Sequence, residues 1–81
     1  MYKNRAGQGR NNIAGKQIQR LRKGLRYSVS QREFAEMLQR EGLDVDKNAI
    51  QRIESGARFI TDIELKVIAD VLNVTCSQLL K

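Results

Sequence analysis

The stretch that decides the fold is Asp46 to Gly56, DKNAIQRIESG. An aspartate suits a helix N-cap because its carboxylate accepts an amide that has no partner inside the helix. A glycine suits the other end because it adopts the left-handed conformation that closes many helices. Between them the only long apolar side chains are Ile50 and Ile53, and their i, i+3 spacing gives a short helix a narrow edge to bury. The other edge carries Lys47, Asn48, Gln51 and Arg52. Their amide, ammonium and guanidinium groups are types that hydrogen-bond base edges in the DNA major groove. They are equally the types found on any solvated helix face.

Working outward toward the N-terminus, Leu43, Asp44 and Val45 form a connection with Leu43 and Val45 turned inward. Before it, Ser30 to Glu33 is an S-x-x-E capping box that opens a helix with Phe34, Ala35 and Leu38 on its buried face. That helix runs to about Glu41 and stops at Gly42. Further out, Ile13, Ile18, Leu21 and Leu25 share one side of a first helix that begins at Asn12 and ends near Gly24, while Lys16, Arg20 and Lys23 point away. Residues 25–29 form a loop. Toward the C-terminus, Ala57 to Ile60 is a loop, and Thr61 to Glu64 is a second capping box. It opens a helix with Leu65, Ile68, Ala69 and Leu72 at helical spacing, which Asn73 ends as a left-handed residue. A third box, Thr75 to Gln78, starts a last short helix containing Leu79 and Leu80.

These readings predict an all-α fold, a compact five-helix bundle without strands, over residues 12–81. Residues 1–11 hold glycines, asparagines and bases with almost nothing apolar beyond Tyr2, which predicts a disordered basic N-terminal arm.

At 81 residues the chain is one small domain that buries about 60% of its unfolded surface. Its longest apolar runs are too short to span a membrane, and the polar N-terminus lacks the apolar core of a signal peptide. A soluble, cytoplasmic protein is expected, with no membrane partner. Cys76 is the single cysteine and there is no histidine, so neither an internal disulfide nor a Cys/His zinc cluster is available. Cys76 reads as a small packing residue. Without histidine or paired carboxylates, catalysis has little to work with, so no enzyme, metal or cofactor is expected. The net charge of +6 is uneven: residues 1–26 hold eight of the fifteen bases and none of the nine acids. Such a block suits a polyanion, and because the tail is not amphipathic, nucleic acid fits better than a membrane surface.

The order and spacing of these elements resemble the helix-turn-helix DNA-binding domains of the phage repressor, Cro and XRE type, that is, a lambda-repressor-like domain. The residues that carry the likeness are Ile18, Leu21 and Arg22; Ser30, Gln31, Phe34, Ala35 and Leu38; Val45, Ile50, Ile53, Glu54 and Gly56; and Leu65, Ile68, Ala69, Leu72, Val74 and Leu79. Together they span roughly residues 13 to 80. The resemblance implies that the second and third helices form the helix-turn-helix and that the third lies in the major groove, with Lys47, Asn48, Gln51 and Arg52 facing bases. It implies a phosphate contact at Gln31, with Arg32, Lys16 and Arg20 as further phosphate candidates. Ala57 stands where a basic residue is frequent, which leaves Arg58 as the phosphate contact of that loop. An arginine late in the first helix and a glutamate at the end of the third pair in this family, matching Arg22 and Glu54 in a structural role. The connection from Gln39 to Asp44 is longer than the tight turn common there, which implies an added turn on the second helix.

The expected function is a sequence-specific, double-stranded DNA-binding transcriptional regulator, repressor-like, occupying its operator as a homodimer. Val71, Val74, Leu79 and Leu80 are apolar residues available for either that interface or the core. The alternative is a protein-interaction module of the same fold, such as an antitoxin or adaptor with a protein partner.

Overall fold

Short local motifs start and stop the helices of this chain. The computed structural model describes residues 11–25 and 27–80. Among them it has five helices in sequence: α1 Gly15–Lys23, α2 Gln31–Arg40, α3 Lys47–Ser55, α4 Asp62–Leu72 and α5 Cys76–Leu79. No strand is formed among the described residues. The bundle is all-helical, as its periodicity predicts.

Three helices open on reciprocal capping boxes. Ser30 Oγ accepts the Glu33 amide at 3.1 Å while the Glu33 carboxylate accepts the Ser30 amide at 3.1 Å. Thr61 and Glu64 make the same exchange at α4, and Thr75 and Gln78 at α5. The Ser30 backbone and then its hydroxyl hold the Glu33 carboxyl below its ordinary pKa, because both bonds favour the ionised form. α3 uses a single cap, Asp46 Oδ1 accepting the Ala49 amide at 2.8 Å. A cap of this kind stabilises a helix by about 1 kcal/mol.

Three helices also end alike. Gly42, Gly56 and Asn73 take positive φ of 90°, 86° and 59° after α2, α3 and α4. In each case the next residue's amide bonds a carbonyl five positions back: Leu43 to Leu38, Ala57 to Arg52 and Val74 to Ala69. This is the Schellman arrangement, which satisfies carbonyls that the helix leaves without partners.

α1 departs from the sequence reading at its start. It begins at Gly15 rather than Asn12, so Ile13 lies ahead of the helix and does not share its inner side. Ile13 is 56% exposed, and the inward positions at this end belong to Asn12 and Ala14, both buried. The apolar repeat of the sequence extends past the helix start, and a residue outside the helix has no reason to follow that repeat. Asn11, expected in the disordered arm, is hydrogen-bonded through its amide to the Gly56 carbonyl at 2.7 Å and through its side chain to the Ala57 carbonyl at 3.0 Å. The rest of that arm, residues 1–10, lies outside the described residues.

Ile18, Phe34, Leu38, Ile50, Ile53, Ile68 and Leu79 are the large side chains fully buried at the centre. α3 packs against α1 and α2, α2 also meets α4, and α4 carries α5. Leu43 and Val45 turn inward from the connection between α2 and α3, and Gln39 Nε2 braces that connection by donating to the Val45 carbonyl at 2.7 Å. Cys76 is a free thiol, half-buried and packed against the core. Among the described residues, no helix is long and apolar enough to cross a membrane.

Candidate nucleic-acid interface

Ile50 and Ile53 face the core, so the opposite side of α3 is turned outward by helical geometry. Lys47 and Asn48 lie one turn before Gln51 and Arg52, which places the four side chains on one face. All four are exposed. The face is polar, carries two cations and holds no acid, as a surface laid on a polyanion requires.

The same helix is fastened from behind by its glutamate. Arg22 Nε donates to Glu54 Oε2 at 2.6 Å and Arg22 Nη2 donates to Glu54 Oε1 at 3.0 Å. The side chains are only 7% and 2% exposed. A planar guanidinium meets a carboxylate on two parallel bonds, the geometry that fixes orientation as well as separation. Arg22 Nη1 also donates to the Val29 carbonyl at 2.7 Å, so the pair ties α1, α3 and the segment leading into α2 together.

Gln31, at the first position of α2, joins this network: its Nε2 donates to Glu54 Oε1 at 3.0 Å. One amide hydrogen is directed at the carboxylate, and the group keeps a second hydrogen and a carbonyl oxygen. The side chain is half-buried beside the start of α2, where the leading backbone amides have no partner within the helix. Arg32 is exposed next to it. Lys16 and Arg20 lie exposed on the outer side of α1, Arg20 Nη1 donating to Gln17 Oε1 at 3.3 Å.

Arg58 is paired within the domain. Its two outer nitrogens donate to the two carboxylate oxygens of Glu64 at 3.2 and 2.8 Å, which draws the guanidinium toward the first turn of α4. A phosphate at Arg58 competes with that carboxylate. Burial pushes the Glu64 carboxyl upward, but the hydrogen bonds and charge of Arg58 and the bonds from Thr61 outweigh it, leaving the pKa below its ordinary value.

Asn11 and Asn12 have a role at this site that the residue pattern did not reveal. Asn12 Nδ2 donates to the Ile53 carbonyl at 3.0 Å and to the Arg58 carbonyl at 2.7 Å, while its Oδ1 accepts the Gly15 amide at 2.7 Å. A single carboxamide therefore caps the approach to α1 and grips the far end of α3. An asparagine ahead of a helix signals the cap. Nothing in sequence spacing signals partners 41 and 46 residues away.

A family model for the helix-turn-helix domain of XRE type matches residues 18–79. The chain belongs to the helix-turn-helix family. Comparison with the curated proteins and with the solved structures gave no match. In this helix-turn-helix domain α2 and α3 are the two helices of the motif, joined by the braced connection of residues 41–46, and the family is one of DNA-binding rather than enzymatic domains.

Proposed function

We propose that this protein is a sequence-specific regulator of transcription that occupies an operator in double-stranded DNA, acting as a repressor in the cytoplasm. The observation that carries the reading is the division of α3 between a buried, ion-paired side and an exposed side of Lys47, Asn48, Gln51 and Arg52. Laid in a major groove, amide and guanidinium groups on the first turns of a helix reach base edges. Gln31, held by Glu54 beside the leading amides of α2, supplies a phosphate contact that fixes register without reading sequence. Arg32 supports it as an exposed cation, and Lys16 and Arg20 add sequence-independent attraction. Arg58 takes a lesser part than its position in the chain suggests, because Glu64 already neutralises it.

One such helix covers only a few base pairs, so a regulator of this kind acts as a homodimer on two half-sites. Leu79 is fully buried and therefore unavailable for the pairing, whereas Ile13, Phe59 and Leu80 remain exposed around one groove.

Selection of bound sequences from a pool of random duplex DNA tests the proposal. An enriched motif with two-fold symmetry is the expected result. Salt-sensitive binding with no enriched motif would instead leave the fold serving a protein partner.

A further inference from the structure

Arg22 and Gln31, both inside the helix-turn-helix domain, hold the Glu54 side chain near the C-terminal end of α3. Asn12 lies ahead of residues 18–79 that match the family model. Its side chain is buried, with the residue 8% exposed, and its amide nitrogen is shared between the Ile53 carbonyl inside α3 and the Arg58 carbonyl in the following loop. The neighbouring Asn11 holds two of the carbonyls between them, Gly56 through its backbone and Ala57 through its side chain. One carbonyl inside the DNA-facing helix and three in the turn and loop that follow it are thus tied to the segment leading into α1.

We infer that Asn12 is a positioning residue for DNA reading: its carboxamide sets where the end of α3 sits on the body of the domain, and with it the angle at which Lys47, Asn48, Gln51 and Arg52 meet the bases. This rests on the proposed DNA-reading role of α3. Arg22 and Gln31 hold the Glu54 side chain, and Ile50 and Ile53 pack the helix on the core, so these attachments act through side chains. Asn12 adds an attachment from a distant segment to the backbone of α3 itself, at the Ile53 carbonyl. Bonds to backbone carbonyls move the helix itself when they are lost, and base contacts depend on placement to within about 0.5 Å.

The clamp is separable from the cap by chemistry. Asn12→Asp keeps an oxygen that can accept the Gly15 amide. It loses both donors and sets a carboxylate against two carbonyls. Asn12→Ala loses cap and clamp together. The measurement is the ratio of affinity for the duplex enriched from the random pool to affinity for a random-sequence duplex of equal length. Partial unfolding lowers both affinities by the same factor, since only the folded fraction binds, so a merely structural role leaves the ratio where it was. The ratio is expected to fall by about tenfold in both variants, the discrimination carried by one base contact. Asn11→Ala, which removes one exposed bond, serves if the Asn12 variants do not fold, with a smaller fall in the same ratio expected. An unchanged ratio in the folded variants overturns the inference while leaving the DNA-reading role intact. A wild-type protein that shows no preference between the two duplexes overturns that role, and the inference falls with it.

Discussion

The two ends of α3 are held in opposite ways. At its start the helix is capped by its own neighbour, Asp46, through one short-range bond to Ala49, and Lys47 and Asn48 project into solvent. At its end, segments far away in the chain converge on it: Arg22 and Gln31 on the Glu54 carboxylate, Asn12 on the Ile53 carbonyl and Asn11 on the Gly56 carbonyl. A helix that reads DNA needs free side chains on a backbone that does not move. Anchoring from the C-terminal half meets both needs, because the groups that fasten the helix are not the groups that would touch bases.

The contrast breaks most visibly if the fastened end is released. Glu54→Ala leaves the Arg22 guanidinium buried without its counter-charge, and loss of one partner of a buried pair costs about 3–5 kcal/mol. In urea titration the unfolding midpoint is expected to fall steeply with little change in slope. A loss close to that of an ordinary surface substitution would show that the end of α3 is not held as described. The free end responds in binding rather than stability. Arg52→Ala is expected to lose about 1–3 kcal/mol of discrimination at one base-pair position, with the unfolding midpoint unchanged. Equal weakening on every sequence would move Arg52 from base to phosphate. Gln31→Ala is expected to weaken all duplexes alike, and a change confined to one base pair would reverse its assignment.

The smallest effect concerns the Arg58–Glu64 pair, which is more exposed than Arg22–Glu54. The Glu64 carboxyl is lowered from the ordinary 4.5, so the folded state binds its proton less readily than the unfolded chain. Its contribution is complete above the ordinary value and is lost as pH falls through the folded-state value. The gap in melting temperature between wild type and Glu64→Gln is therefore expected to be open at neutral pH and to close in acid. A gap of constant width would show that the charge of Glu64 contributes nothing.

Much of this architecture was legible because it is local. The box Ser30 to Glu33, the closing Gly42 and Gly56, and the stripe Leu65, Ile68, Ala69 and Leu72 each depend on residues within a turn or two, so spacing alone located them. Ile13 is the complementary case: it continues an apolar repeat, but the chain is not yet helical there. The ion pair between Arg22 and Glu54 followed from family resemblance, since their separation of 32 residues carries no periodic signal.

The sequence by itself determined which residues build α3, where it starts and stops, and that its outer edge carries Lys47, Asn48, Gln51 and Arg52. Caps, left-handed closures and apolar spacing act over a few residues, and their chemistry is contained in the residues themselves. Only the tertiary structure decided what holds the far end of that helix, that Asn12 reaches across to one carbonyl inside it and one in the loop after it, and that Arg58 is engaged by Glu64 instead of standing free. Backbone carbonyls are the same at every position in the chain, so which of them a distant asparagine will meet is settled only when the helices pack.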